Sequence, residues 1–178
     1  MHNPQIMHDT QNIPSPSAHD WAEGLLRKYW GFSSFRGIQR EIIDSIASGK
    51  DTLGLMPTGG GKSITFQVPA LAMPGVCIVV TPLIALMKDQ VGQIFEERGF
   101  EKVQYLNSEL SLIDRDRIIQ SCKNGEIDIL YLSPELLLSY DISFFIGERK
   151  LGLLVVDEAH LITTWGRDFR VDYWFLGQ

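Results

Sequence analysis

Apolar residues along this chain recur at two spacings. Trp21, Leu25, Leu26 and Tyr29 fall three and four positions apart, the spacing of one helical face, and Gly31 follows as a stop. Ile38, Ile42, Ile43 and Ile46 repeat the pattern ahead of Gly49. Short apolar runs then take over. Thr52 to Met56, Val76 to Val80, Val103 to Leu106, Ile127 to Leu132 and Leu151 to Val156 read as strands. Helices are expected between them: one opening near Lys62 and broken at Pro74-Gly75, one from about Leu83 to Glu97 before Gly99, and one from about Asp114 to Lys123. Strands apolar on both faces and separated by helices describe a parallel sheet with helices on both faces. The expected class is therefore α/β, doubly wound. Such sheets place ligands beyond the carboxyl ends of their strands, where segments 57–63, 81–90 and 157–170 stand. Residues 1–17 hold three Pro and no periodicity, which predicts a mobile tail and leaves 18–178 as one domain.

Composition narrows the class further. A chain of 178 residues, 44% hydrophobic and 21% charged, can bury a sizeable core and is not wholly disordered. No apolar run approaches the roughly 20 residues that cross a bilayer, so no membrane partner is expected. The first residues lack both a basic start and an apolar stretch, so secretion is not expected. Cys77 and Cys122 stand far apart with no Cys or His spacing around them, which favours reduced thiols over a disulfide or zinc site. With 16 basic against 22 acidic residues and a net charge of −6, the chain does not grip nucleic acid by bulk charge. A small directed binding surface stays open.

The densest chemistry lies between the first strand and the third helix. In Met56-Pro57-Thr58-Gly59-Gly60-Gly61-Lys62-Ser63, three glycines let the backbone curl around an anion, and the helix N-terminus adds partial positive charge. Lys62 can reach β- and γ-phosphates, and the Ser63 hydroxyl suits a Mg2+ ligand. The strict pattern has Gly where this chain has Met56. A second constellation ends the most apolar strand: Asp157-Glu158-Ala159-His160. There Asp157 would orient the metal and Glu158 would polarise the attacking water as general base. Alone, an acid pair at that place is also a common helix N-cap. About 95 residues after a phosphate loop, the catalytic reading leads.

Taken with Thr81-Pro82-Leu83-Ile84-Ala85-Leu86-Met87-Lys88-Asp89-Gln90-Val91 and Tyr131-Leu132-Ser133-Pro134-Glu135, these motifs resemble superfamily 2 helicases, and within them the RecQ family of DNA helicases. The resemblance runs from about Trp21 to Gln178. It implies a RecA-like P-loop NTPase lobe that binds ATP with Mg2+ and, in a longer protein, couples hydrolysis to DNA unwinding. Phe32-Ser33-Ser34-Phe35-Arg36-Gly37-Ile38-Gln39 resembles the family's adenine-recognition segment, with Gln39 able to donate and accept and with Phe32 and Arg36 as stacking faces. The nucleotide site so implied is Phe32, Arg36, Gln39, Thr58, Gly59, Gly60, Gly61, Lys62 and Ser63, with Ser63 and Asp157 on the metal. The segment Trp165-Gly166-Arg167-Asp168-Phe169-Arg170 resembles the family's aromatic-rich loop, implying Trp165, Arg167, Phe169 and Arg170 as contacts for single-stranded or partly duplex DNA. Their spacing alone favours plain burial of the aromatics. Lys88 would contact the DNA backbone by the same resemblance.

The resemblance also implies a second RecA-like lobe and a further strand of this one, both beyond Gln178. The lobe is thus expected to be incomplete at its C-terminal side, with a central gap in the sheet between the phosphate-loop strand and the acidic-box strand, or an exposed surface there that another partner fills. It implies a cytoplasmic, nucleoid-associated location in a bacterium or a nuclear one in a eukaryote. An RNA helicase, a DNA-independent ATPase and a non-enzymatic nucleotide- or DNA-binding module stand as alternatives.

Overall fold

The computed structural model describes residues 20–57 and 59–159. Helices α1 (Asp20–Trp30), α2 (Gln39–Ala47) and α3 (Lys62–Ala72) precede strand β1 (Val76–Val80). Helix α4 (Ile84–Gly92) leads to β2 (Val103–Leu106), α5 (Leu112–Lys123) to β3 (Ile129–Leu132), and the short α6 (Pro134–Ser139) and α7 (Ile142–Ile146) to β4 (Leu151–Val156). All four strands are parallel, in the order β2-β3-β1-β4.

Side-chain alternation divides the sheet into two faces. Val76, Ile78 and Val80 of β1 join Leu130 and Leu132 of β3 against Ile119 and Cys122 of α5 and Phe145 of α7. Cys77 and Val79 join Ile129 and Tyr131 on the other face, against Phe66 and Ala70 of α3 and Met87 and Val91 of α4. Both faces are covered, which is why β1 and β3 are buried along their whole length. A third cluster packs Ala22 and Leu26 of α1 and Ile43 of α2 on Val68 of α3. Ser111 caps α5, accepting from the Asp114 amide at 3.1 Å and donating to its carboxylate at 2.6 Å.

Several elements depart from the sequence expectation. Thr52 to Met56 forms no strand, and Leu53 and Leu55 are 78% and 77% exposed. A strand needs a neighbour for its backbone groups, and among the described residues none lies beside this segment. It faces β4 across a cleft of about 630 Å³, lined by residues 51–56 on one side and 152–159 on the other. Among the described residues β4 pairs only with β1, and it is half-buried throughout. Open space thus lies between this segment and β4, at an edge of the sheet and not as a gap within it, because Thr52 to Met56 forms no strand. β3 begins at Ile129 rather than Ile127, because the amides of Asp128 and Ile129 both turn to the Lys102 carbonyl. The helix expected to Glu97 is α-helical only to Gly92 and closes with a wider π turn over Gln93–Glu97. The expected tail lies outside the described residues.

Candidate active site

The phosphate loop is built by backbone that glycine adopts without strain. Gly59 and Gly61 have φ of +79° and +72°, in the left-handed region, and the Gly60 amide closes a turn on the Pro57 carbonyl at 3.0 Å. Gly61 is the N-cap of α3 and offers no side chain to its first amides, which stay available to an anion. Lys62 and Ser63 open that helix. The Lys62 ammonium lies 2.6 Å from Oε1 of Glu158, with the two side chains only 34% and 17% exposed. The loop and the acidic box, 96 residues apart in sequence, are therefore in direct contact.

β4 ends at Val156, and the Asp157 amide continues the ladder by donating to the Val80 carbonyl at 2.9 Å. This pins the acidic box at the carboxyl edge of the sheet. Asp157 is buried; its Oδ1 accepts from the Glu158 amide at 2.9 Å and its Oδ2 from Gln90 Nε2 of α4 at 3.1 Å. Glu158 adopts φ +52°, a conformation that costs a side-chain-bearing residue about 1–3 kcal/mol and is concentrated at functional sites. Lys62, Asp157 and Glu158 line the same cleft. His160 lies outside the described residues.

A second cavity, about 550 Å³, adjoins the loop and is lined by Phe32, Arg36, Gln39, Gly59, Gly60 and Gly61 among others. The segment expected to read adenine and the phosphate loop are thus brought together. The Arg36 guanidinium lies 5.4 Å from the centre of the Phe32 ring. Gln39 is buried and makes three internal bonds: Oε1 accepts from the Arg36 amide at 2.8 Å, and Nε2 donates to the Gly60 and Gly61 carbonyls at 3.1 and 3.2 Å. Both amide protons go to the loop, so this side chain braces the cradle as well as facing the cavity.

Of the polar row beyond the strand ends, Asp157 was marked in the sequence, and the burial of its neighbours was not. One residue beyond the aligned set Leu106, Leu132, Val80 and Val156 stand Asn107, Ser133, Thr81 and Asp157, all buried. Asn107 Nδ2, Ser133 Oγ, Thr81 Oγ1 and Gln90 Oε1 have no partner among the described residues. A polar residue directly after each apolar run was the available signal. Lys88 of α4 is exposed and paired with Glu109 at 3.0 Å, and that carboxylate raises the ammonium's pKa, first by hydrogen bonding and then by charge. Thr58, Trp165, Arg167, Phe169 and Arg170 lie outside the described residues.

Magnesium suits the donors present. Asp157 and Ser63 offer hard oxygen ligands beside a phosphate cradle, and Mg2+ is usually held by one or two such groups plus the phosphates themselves. Among the described residues no cluster of three or more His, Cys, Asp or Glu forms a cage of its own.

A parallel sheet covered on both faces, with a glycine-built phosphate cradle touching the carboxylates at a strand end, defines a RecA-like P-loop lobe. Solved helicases share its fold. A hypothetical ATP-dependent RNA helicase from Sulfolobus tokodaii matches with a TM-score of 0.63 at 24% identity, over 87% of this chain and 45% of that one. The DUF1998 helicase MrfA, bound to DNA and AMPPNP, matches with a TM-score of 0.65 at 20% identity, over 83% of this chain and 22% of that one. The chain belongs to the DEAD/DEAH box helicase family, whose model matches residues 36–175.

Among its curated relatives are RecQ-type DNA helicases. The probable ATP-dependent DNA helicase RecS of Bacillus subtilis is 43% identical over 86% of this chain and 30% of its own length. The ATP-dependent DNA helicase RecQ of Pasteurella multocida is 40% identical over 86% of this chain and 24% of its own. The ATP-dependent DNA helicase Q5 of Rattus norvegicus is 39% identical over 85% of this chain and 16% of its own. The chain thus spans less than a third of the length of each of these relatives. Among the described residues no helix is long and apolar enough to cross a membrane.

Proposed function

We propose that this chain is the ATP-binding first lobe of a RecQ-like DNA helicase, in which ATP hydrolysis drives unwinding once a second RecA-like lobe completes the motor. The observation that carries the reading is the 2.6 Å contact between Lys62 and Glu158, which puts the phosphate cradle and the water-polarising carboxylate in one cleft. ATP would lay its phosphates along the amides of 59–63 and draw the Lys62 ammonium toward them. Ser63 and Asp157 would hold Mg2+, which supplies charge neutralisation at the transferring phosphoryl group. Glu158 would then orient and polarise the attacking water. Phe32, Arg36 and Gln39 would receive the adenine in the adjoining cavity.

DNA is the proposed polymer, supported by the names of the curated relatives. Lys88 on the exposed face of α4 is the proposed backbone contact within the described residues, with Trp165, Arg167, Phe169 and Arg170 beyond them. An intracellular site of action, beside nucleoid or nuclear DNA, follows from this reading. The test is Glu158→Gln in the complete protein. ATP affinity should be retained while turnover falls at least about 10²-fold, the scale of a positioned general base. Turnover within a few-fold of wild type would refute the assignment. Stimulation of wild-type turnover by single-stranded DNA and not by RNA separates the DNA motor from an RNA helicase.

A further inference from the structure

We propose that Gln90 is a positioning residue for Asp157, fixing the carboxylate in the orientation that a divalent cation requires. The inference rests on the nucleotide-site reading above and adds to it a residue on a different element.

The geometry begins with a buried carboxylate held from two sides. The Glu158 amide bonds Oδ1 at 2.9 Å, but it belongs to the same turn and moves with it. Gln90 Nε2 bonds Oδ2 at 3.1 Å from α4, 67 residues away, so it ties the carboxylate to an independent part of the fold. A carboxylate can only accept, so the amide must present its nitrogen here. The donor is also neutral. Lys or Arg at position 90 would orient Asp157 equally well and would spend its negative charge; an amide leaves that charge for a cation.

Packing alone does not account for a glutamine at this place. Gln90 is 6% exposed, and its Oε1 is buried without a partner among the described residues. An unsatisfied buried acceptor costs stability, and an apolar side chain of similar volume would avoid that cost. Neighbouring Met87 and Val91 of the same helix fill the core with apolar atoms. A residue that is unfavourable for folding and bonded to the buried acid at the end of β4 fits a role in orienting that acid.

The test is a Mg2+ titration of binding by a fluorescent ATP analogue, comparing wild type with Gln90→Met, which keeps the size and removes the donor. The variant should shift the Mg2+ midpoint upward by about three- to tenfold, the range below the losses typical of removing a ligand's hydrogen-bonded partner. Nucleotide affinity without Mg2+ should stay unchanged; the melting temperature does not decide, because the substitution removes the orphaned Oε1 but also leaves Asp157 Oδ2 without its donor. A residue that merely packs would leave the Mg2+ midpoint alone whatever its effect on melting, and that result overturns the proposal. Gln90→Leu gives the same comparison where Gln90→Met does not fold. Nucleotide binding by wild type with no response to Mg2+ overturns the proposal while sparing the nucleotide site; no binding by wild type removes the underlying reading as well.

Discussion

Gly61 shows how much a single position can carry. Its φ of +72° belongs to glycine, and a Cβ built there would sit 2.5 Å from Gln39 Nε2. Gly61→Ala must therefore disturb both the loop backbone and the side chain that braces it. The expected outcome is loss of nucleotide binding by at least about tenfold with the helices intact by circular dichroism, because a few kcal/mol of backbone strain falls on the cradle alone. Lys62, Ser63, Asp157 and Glu158 were legible in the sequence because their chemistry sits in fixed order around glycines and an apolar strand. The sequence marked Gln39 as a candidate nucleotide contact, while its bonds to the Gly60 and Gly61 carbonyls were not legible there. Gln90 was hidden for a different reason. On a helix bearing Lys88 and Asp89, a glutamine reads as one more solvated position until the fold turns it inward.

Among the elements, β1, β2 and β4 fall on the residues that apolar runs marked, since each run is bounded by polar or glycine-containing turns. Thr52 to Met56 carries the same kind of run and forms no strand, because pairing depends on a neighbour and not on the run itself. α6 and α7, six and five residues long, are too short to show a helical period. The contrast between β1 and the 52–56 segment can be measured. Ile78 is wholly buried, so Ile78→Ala should cost about 2–5 kcal/mol in denaturant unfolding. Leu53→Lys should cost the isolated chain less than about 0.5 kcal/mol, as expected of a surface site. A large loss from Leu53→Lys would show that this segment is packed.

For the molecule as a whole, two buried thiols and a phenol set an alkaline limit. Burial pushes Cys77 far above its ordinary value of 9.0 and raises Cys122 as well, and it pushes Tyr131 far above 10.0 against the opposing hydrogen bond from Gln67. In all three groups the folded state holds the proton more tightly than the unfolded chain. Their contribution is therefore fully present below about pH 9 and is lost as pH rises, because the unfolded chain ionises first. Unfolding free energy should be level across pH 6.5–8.5 and then fall by up to about 1.4 kcal/mol per pH unit for each group. Cys77→Ala should make the fall between about pH 9 and 10 shallower, leaving Cys122 as the remaining thiol. A stability curve unaffected by that substitution would contradict the assignment.

A net charge of −6 fits a lobe that meets an anion through one lysine at a cradle of backbone amides rather than through a basic face. Equilibrium binding of Mg2+-ATP by this chain, compared with Lys62→Ala, addresses that cradle most directly. Saturable binding by wild type, weakened at least about tenfold by the loss of one charge-assisted contact, is the expected result. Equal binding by the two proteins, or none by either, would contradict a nucleotide site at the contact between Lys62 and Glu158.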